Sequence, residues 1–406
     1  MPSYKNILQY LYGLERFGIR LGLARVNALL KLLGNPHKKF PIIHVGGTNG
    51  KGSVSAMLAS ILQEAGCKVG LYTSPHLVRF NERIRIDGKE ITNRKIVELT
   101  ERIRNNPPLI PPFLKGGEGG LTFFEFTTAM AFLYFAEEKV DIAVIEVGLG
   151  GRLDATNVCK PLVSIITNVS REHEDILGKG IKKIAVEKAG IIKENGILIT
   201  AAQQPSALKI FDRICRQKNA KICRIGKDFF VKGVKGSRGQ GVKGLYPHGS
   251  TGAFSFKGRR WIYKNLKTNL LGRHQYKNAG LALFALEMIG KKGFKITEDA
   301  VRTGLKNVKC NGRLQIISKE PTIVLDSAHN PAGAKVLRDS LLKEFCYKKL
   351  ILVIGIMADK DIKGFLSNIA QIADLVILTK PNTPRAAKKE ILVTTAKSLA
   401  KNVNFV

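Results

Sequence analysis

Apolar positions alternate along most of the chain between short continuous runs and longer stretches with helical spacing. The runs at 40–43, 68–72, 141–147 and 162–167 have the length of buried strands, whereas 51–65 has the spacing of a helix. Strands that alternate with helices are typical of a mostly parallel sheet. The pattern therefore predicts an α/β fold.

The alternation is interrupted twice and then resumes. Stretches rich in proline or glycine at 105–120 and 232–252 predict loops or insertions. A second series of strands and helices begins near Arg313, and 402–406 predicts one last strand. At the other end, 1–35 predicts helix that stops at a Gly-Asn-Pro sequence.

Length and composition describe a globular chain with two cores. Because 406 residues are too many for one ordinary core, we expect two domains, at 1–308 and 309–406. No apolar run is long enough to cross a bilayer, and the N-terminus lacks the apolar region of a signal peptide. The six cysteines form no C-x-x-C pair, so neither a zinc site nor a disulfide framework is indicated. These features favour a protein of the reducing cytoplasm.

The charge is unusual, because 66 Lys and Arg stand against 32 Asp and Glu, a formal net charge of +34. Such a charge is compatible with a nucleic-acid partner, with anionic small substrates or with a generally basic proteome. The basic residues are spread along the whole chain, without an arginine-rich arm or interleaved aromatic residues. We therefore expect no nucleic acid as a main partner.

The first strand runs directly into a glycine-rich turn, GTNGKGS at 47–53. Glycines let the backbone approach an anion, and free N–H groups at the start of the next helix attract it. Lys51 adds a positive charge, and Ser53 offers a hydroxyl to a metal ion. The Walker pattern is not met, because Gly52 follows Lys51 and the first glycine is one place out of register. A tight turn between buried elements is the alternative, but it leaves the lysine and serine unexplained.

Four polar side chains fall at strand ends or in adjacent loops: Ser53, Ser74, Glu146 and His173. The carboxyl ends of parallel strands are where open α/β sheets collect ligands. Hard oxygen ligands around a triphosphate suit Mg²⁺, and one imidazole is allowed. Each residue alone is more often structural, so their shared position beside the phosphate loop carries the prediction of a metal site.

These motifs resemble the folylpolyglutamate synthase/dihydrofolate synthase family of Mur-ligase-like, ATP-dependent amide ligases. The matching segments follow one another along nearly the whole chain: GTNGKGS (47–53), TSPHL (73–77), RFNERI (79–84), LTFFEF (121–126), VIEVGLGGRLDATN (144–157), EKAGI (187–191), GRHQYKNA (272–279), GRLQ (312–315) and DSAHNP (326–331). The resemblance implies a P-loop domain like the Mur ligase central domain, followed by a smaller Rossmann-like α/β domain. It also implies that ATP phosphorylates a carboxylate and that the amine of glutamate attacks the resulting acyl phosphate.

The resemblance assigns roles residue by residue. The implied ATP-binding positions are Thr48, Asn49, Gly50, Lys51, Gly52, Ser53, Asn278, Arg313 and Asp326. The implied ligands of two Mg²⁺ ions are Ser53, Ser74, Glu146 and His173. The implied catalytic groups are Lys51, His173 and Lys188. The implied substrate positions, on the pterin side and in the second domain, are Gly22, Leu23, Ala24, Thr122, Phe123, Phe124, Glu125, Leu153, Asp154, Ala155, His329 and Asn330.

Lys188 has two interpretations at the level of the sequence. A lysine on a short surface helix is usually a solvated charge. The resemblance implies instead a lysine carbamylated at N6, which would act as an anion near the second metal. Glu172 stands where the family more often has aspartate before the histidine.

Three other classes of protein compete with this interpretation. Other Mur ligases carry a nucleotide-sugar domain ahead of the phosphate loop, whereas only 45 residues precede Gly46. A nucleic-acid-binding protein that merely holds a nucleotide has no supporting motif, and a non-catalytic relative would not keep every polar position. We expect a monomeric, bifunctional enzyme that uses dihydropteroate or folates, L-glutamate and ATP. A monofunctional folylpolyglutamate synthase is the alternative.

Overall fold

A computed structural model describes residues 2–18, 20–104, 120–234, 252–383, 385–400 and 402–405. The predicted loops at 105–120 and 232–252 fall almost entirely outside these ranges, so both stay predictions. In the described part of the chain, no helix is long and apolar enough to cross a membrane.

An eight-stranded sheet forms the centre of the N-terminal unit, the part of the chain before Arg313. Its strands are β1 Ile42–Gly46, β2 Val69–Tyr72, β3 Ile84–Ile86, β4 Lys89–Glu90, β5 Ile142–Glu146, β6 Val163–Ile166, β7 Ile197–Thr200 and β8 Lys221–Arg224. They lie in the order β4-β3-β2-β5-β1-β6-β7-β8. Strand β3 pairs antiparallel with both β2 and β4, and the other described pairs of this sheet are parallel, so the predicted, mostly parallel sheet is confirmed.

Helices cover both faces of this sheet. They are α1 Tyr4–Gly13, α2 Ala24–Leu32, α3 Lys51–Glu64, α4 Asn93–Arg104, α5 Phe123–Glu137, α6 Glu174–Leu177, α7 Ile181–Ala189, α8 Pro205–Gln217, α9 His274–Gly290 and α10 Glu298–Asn307. One apolar cluster joins the sheet to α3, α9 and α10, and another joins it to α1, α2, α4 and α5. The helical structure predicted over 1–35 is present as two helices, and a 3-10 turn at Leu14–Phe17 and non-helical residues separate α1 from α2.

A small antiparallel sheet packs beside α9. Its strands are β9 Phe230–Gly233, β10 Phe254–Lys257 and β11 Ile262–Leu266. Buried aromatic rings of β10 join the same apolar cluster as α3 and α9. This sheet therefore extends the N-terminal unit on the side of α9.

The C-terminal unit, from Arg313 onward, has its own core. Its elements are β12 Gln315–Lys319, β13 Thr322–Leu325, α11 Pro331–Glu344, β14 Ile351–Ile354, α12 Ile362–Ile369, β15 Leu375–Leu378, α13 Lys389–Lys397 and β16 Val403–Phe405. Strands β14, β15 and β16 form a parallel sheet, and the last strand predicted at 402–406 is confirmed. Strand β13 pairs antiparallel with β12 in a separate hairpin. The predicted alternation of strands and helices in a second α/β unit is thus confirmed.

Candidate active site

The loop between β1 and α3 has a backbone that only glycine accommodates at two positions. Gly47 has φ of +130° and Gly50 has φ of +88°. A Cβ atom on Gly47 would collide with the hydroxyl of Thr167, and one on Gly50 would lie 2.7 Å from Asn278 Oδ1. The glycines of the motif thus allow neighbouring polar groups to approach the backbone of the loop.

The residues that follow β6 hold this loop in place. Asn168 Oδ1 accepts the N–H of Asn49 at 3.0 Å, and Ser170 N–H donates to Thr48 Oγ1 at 3.0 Å. The ammonium of Lys51 donates to the carbonyls of Gly47 and Thr48 at 3.0 and 3.1 Å. Because α3 begins at Lys51, the positive end of its dipole and this ammonium act at the same point. The loop is therefore built to hold an anion.

One cavity of about 740 Å³ opens above the loop, in the size range of small-molecule sites. It lies between the two units. Every ATP-binding, metal-binding and catalytic residue predicted from the sequence lines it: Thr48, Asn49, Gly50, Lys51, Gly52, Ser53, Ser74, Glu146, His173, Lys188, Asn278, Arg313 and Asp326. His329 lines it as well. The structure thus brings together residues that lie hundreds of positions apart.

Glu146, at the end of β5, is a buried carboxylate facing this cavity. Burial raises its pKa, while the charges of Lys51 and Arg313 oppose that shift. Its Oε2 atom accepts the N–H of Ser74 at 3.4 Å, and no cation of the described residues forms an ion pair with it. A buried carboxylate without a partner ion is costly, so this position fits a cation.

The donor set also limits the kind of cation. Among the described residues, no three His, Cys, Asp or Glu side chains gather closely enough to form a metal cluster. The hydroxyl of Ser53, which is buried, adds a hard oxygen beside Glu146. Mg²⁺ is commonly held by one or two carboxylates together with waters and substrate phosphates. The residues present therefore fit Mg²⁺ and do not fit a zinc-like cage.

Lys188 is buried, so the solvated interpretation of this lysine is wrong. Its Nζ atom lies 2.5 Å from Glu172 Oε1. Burial lowers the pKa of Lys188 to about 8, although the charge of Glu172 opposes the shift. Burial alone would raise the pKa of Glu172, but Lys188 and Lys51 lower it to about 2. The pair is thus held as two charges beside the phosphate loop.

His173 has a left-handed backbone with φ of +46° and lies at the start of α6. Its Nε2 atom lies 3.3 Å from Nζ of Lys360, which comes from the loop after β14. Burial, together with the charge of Lys360, lowers the pKa of His173. Lys360 also forms an ion pair with Asp359 at 2.9 Å. A cation of the C-terminal unit therefore lies against a predicted metal ligand.

Asp326 organises the part of the C-terminal unit that faces the cavity. Its carboxylate accepts the N–H of Leu314 at 2.9 Å and the N–H of Ala328 at 2.8 Å. Burial raises its pKa. These bonds fix the segments that carry Arg313 and His329. Asp326 therefore holds two cavity-lining loops against each other.

The predicted pterin-side residues do not line this cavity but are joined to one of its walls, the turn at 148–150. The ring of Phe124 contacts Gly148, and the carboxylate of Asp154 accepts the N–H of Leu149 at 2.8 Å. Leu153 and Ala155 flank Asp154. Glu125 forms an ion pair with Arg25 at 3.0 Å, which links Thr122–Glu125 to the segment of Gly22, Leu23 and Ala24. The two stretches therefore lie together behind the turn.

Sequence reasoning missed several residues that line the cavity, among them Glu172, His274 and Lys360. Glu172 was noted only as a departure from the family pattern, and Lys360 was not singled out. His274 lines the cavity with a buried Nδ1 atom, and burial lowers its pKa to about 4. Their position was the signal that could have identified these three residues. Each of them follows a strand or begins a helix near a residue that was predicted for the site.

Family models match both units. Residues 45–286 match the Mur ligase middle domain, and residues 312–406 match the Mur ligase glutamate ligase domain. The dihydrofolate synthase/folylpolyglutamate synthase of Bacillus subtilis is 36% identical over 387 residues, 95% of this chain and 87% of that protein. The chain belongs to this family of Mur ligases. Its members are ATP-dependent amide ligases, and so is this enzyme.

Solved structures of this synthase family agree. Folylpolyglutamate synthase of Thermotoga maritima superposes with a TM-score of 0.82 at 42% identity, covering 99% of this chain and 89% of that one. The Mycobacterium tuberculosis enzyme in complex with ADP gives 0.88 at 34% identity, covering 98% and 88%. Escherichia coli FolC in complex with DHPP and ADP gives 0.85 at 30% identity, covering 100% and 90%. ATP use by this synthase follows from these relatives.

Proposed function

We propose that this enzyme ligates L-glutamate to dihydropteroate and to the γ-glutamyl tail of folates, with ATP converted to ADP and phosphate. The observation that carries the proposal is the single cavity in which every predicted nucleotide, metal and catalytic residue meets, next to the turn at 148–150. The names of the curated relatives supply the acceptors, since they are dihydrofolate synthases, folylpolyglutamate synthases or both. A monofunctional folylpolyglutamate synthase is the second candidate.

The reaction follows from the weakness of a carboxylate as an electrophile. An acceptor carboxylate oxygen attacks the γ-phosphorus of ATP, and the bond to the β-phosphate oxygen breaks to release ADP. The nitrogen of glutamate then attacks the acyl carbon, the carbon–oxygen bond to phosphate breaks, and the nitrogen loses a proton. The protein mainly positions reactants and stabilises negative charge. Lys51 and Arg313 supply positive charge at the phosphate end of the cavity.

We infer that Ser53, Ser74, Glu146 and His173 hold Mg²⁺ in this site. The buried carboxylate of Glu146 and the buried hydroxyl of Ser53, which line the same cavity, support this assignment. When bound, Mg²⁺ neutralises charge on phosphate oxygens. His173 reaches the same cavity, although its Nε2 atom lies against Lys360.

Lys188 is the residue that we propose carries the carbamate. At pH 7, an amine with a pKa near 8 is about one tenth neutral, a far larger fraction than at its ordinary pKa near 10.4. Only the neutral amine attacks CO₂, forming an N–C bond and releasing a proton. The product would be an anion next to Glu172, which requires a cation between them. A second Mg²⁺ would meet that requirement.

The remaining predictions concern the whole chain. We propose a domain boundary after residue 308, because the apolar cluster of the N-terminal unit includes Val308, whereas that of the C-terminal unit begins at Leu314. We also propose a cytoplasmic monomer that acts only on small molecules. The pterin-side positions at 22–24, 122–125 and 153–155 are proposed to hold the acceptor.

Glutamate-dependent release of ADP from the purified enzyme tests the proposal. Dihydropteroate and then tetrahydrofolate serve as acceptors, with reactions lacking glutamate as the control. We expect ADP release with both acceptors. Release with tetrahydrofolate alone would establish the monofunctional candidate, and no release with either would refute the ligase proposal.

A further inference from the structure

An uncharged contact joins the C-terminal unit to the phosphate loop. The carboxamides of Asn49 and Asn330 face each other across the cavity wall. Asn49 Nδ2 donates to Asn330 Oδ1 at 3.2 Å, and Asn330 Nδ2 donates to Asn49 Oδ1 at 3.0 Å. The side chain of Asn330 is buried, with 4% of its surface exposed. Since each amide both donates and accepts, both bonds form only when the two carboxamides face each other.

The phosphate loop fixes the Asn49 side of this contact. The carbonyl of Asn49 accepts the hydroxyl of Thr167 at 2.7 Å and the amide of Asn168 at 2.8 Å. Its N–H donates to Asn168 Oδ1 at 3.0 Å. The backbone of Asn49 is thus held by the end of β6. Its carboxamide remains directed toward the C-terminal unit.

Helix α11 fixes the Asn330 side. Asn330 is the N-cap of this helix, and its Oδ1 atom accepts the N–H of Gly333 at 2.8 Å. The same oxygen therefore caps the helix and receives the bond from Asn49. Asn330 also follows His329, and both Gly333 and His329 line the cavity. Any shift of Asn330 relative to the loop moves these groups together.

We propose that the Asn49–Asn330 pair is an interdomain latch, and that Asn330 is a positioning residue rather than a substrate ligand. The latch holds the N-terminus of α11 and the His329 loop against the nucleotide phosphates. It also keeps Arg313 close to α3, where a guanidinium nitrogen lies 3.9 Å from the place that a Cβ on Gly52 would occupy. The inference rests on the proposed function only in requiring that the cavity binds ATP.

The latch differs from a second contact between the units, which involves a charged group. The contact of Lys360 with His173 joins a cation to an imidazole, so salt and pH alter it. Two carboxamides do not titrate and carry no net charge. The contribution of the latch should therefore be the same at low and high ionic strength, and this separates it from a general electrostatic attraction between the units.

Three variants isolate the latch from the helix cap. Asn330→Ser keeps an N-capping hydroxyl for α11 but is too short to reach Asn49. Asn49→Ser removes the partner carboxamide. The backbone hydrogen bonds of residue 49 with Thr167 and Asn168 can still form. The double variant closes a thermodynamic cycle. Asn368→Ser is the matched control, because its amide bonds only to Gly364 within α12.

The affinity for a non-hydrolysable ATP analogue is the main measurement. We expect each single variant to bind about 25-fold more weakly, since it removes both neutral hydrogen bonds of the pair and each contributes a factor of about five. The double variant should lose no more than Asn49→Ser alone, with little change in melting temperature. Small-angle scattering with bound analogue should show a larger radius of gyration for Asn330→Ser than for Asn368→Ser.

Two results would overturn the latch. Independent, additive losses in the double variant would show that the amides do not act as a pair. Unchanged affinity and unchanged scattering for Asn330→Ser would show that the contact positions nothing. Neither measurement requires turnover, so a failure of glutamate ligation would refute the proposed function and leave the test of the latch intact.

Discussion

Two buried charges beside the phosphate loop define the chemistry available at the scale of single residues. Lys188 and Glu172 are each at most 8% exposed in their side chains and lie 2.5 Å apart. Removing one partner of such a pair leaves the other charge buried and uncompensated, which costs about 3–5 kcal/mol. The same lysine has a pKa lowered to about 8 by burial, and this increases the neutral amine needed for a carbamate. The stability of this buried pair and the proposed carbamate chemistry therefore both depend on the side chain of Lys188.

We predict that Lys188→Ala abolishes turnover, with a loss of at least a hundredfold in kcat, because it removes both the ammonium and any carbamate formed on it. Added bicarbonate should not restore activity, since no amine remains to react with CO₂. The variant should also unfold at lower denaturant concentration, because Glu172 loses its partner. Steady-state ADP release and urea titration give the two measurements.

Lys182→Ala is the matched control for this prediction, because Lys182 lies on the same helix and is exposed. It should retain both activity and stability. Near-normal turnover in Lys188→Ala would refute the carbamate assignment. A carbamate on the wild-type enzyme should also give a ¹³C signal from labelled CO₂ that is absent in the variant.

Some of these residues could be named from the sequence and others could not. Lys51, Ser53 and Glu146 stand in local motifs, so their grouping follows from the fold class. Glu172, in the loop before α6, reaches Lys188 on α7, and Lys360 reaches His173 across 187 positions. Such pairs depend on how units pack, and no periodicity in the sequence encodes that packing.

At the scale of elements, the connection from β1 to α3 sets the position of the phosphate site. The strand ends at Gly46 and the helix starts at Lys51, so the intervening residues must turn within a few positions. Two of these residues, Gly47 and Gly50, have positive φ angles that residues other than glycine rarely adopt. The apolar pattern of the sequence predicted this order of a strand, a turn and a helix. The hairpin of β12 and β13 did not, because its pairing is set by contacts rather than by the apolar pattern.

We predict that Gly47→Ala lowers affinity for an ATP analogue more than tenfold and destabilises the protein. The added Cβ atom would collide with Thr167, and its backbone at φ of +130° is strained for alanine. The loop must therefore move away from the end of β6, which carries its anchoring bonds. Isothermal titration with the analogue measures the affinity, and thermal unfolding measures the stability.

Gly13→Ala is the control for this substitution. Gly13 is the last residue of α1, has φ of −60°, and has no atom within 4 Å of an added Cβ. Alanine should be tolerated there and should stabilise the helix by about 0.5–1 kcal/mol. If Gly47→Ala bound the analogue as well as Gly13→Ala does, the loop would not owe its function to close backbone approach.

At the scale of the molecule, the cavity is shared by two units with separate apolar cores. The N-terminal unit supplies the phosphate loop, and the C-terminal unit supplies Arg313, Asp326 and His329. A ligand that binds both units in their folded state stabilises each of them against unfolding. Nucleotide binding should therefore couple the stability of the C-terminal unit to that of the N-terminal unit.

We predict that an ATP analogue raises the unfolding temperature of both units in the wild-type enzyme, as measured by differential scanning calorimetry. In Arg313→Ala, the shift of the C-terminal unit should be lost, because this guanidinium approaches α3 from the C-terminal unit. Arg338→Ala is the control, since Arg338 lies on α11 and pairs only with the neighbouring Asp339. Equal shifts in both variants would contradict coupling through Arg313 and would place the coupling in other contacts between the units, such as the Asn49–Asn330 pair and the contact of Lys360 with His173.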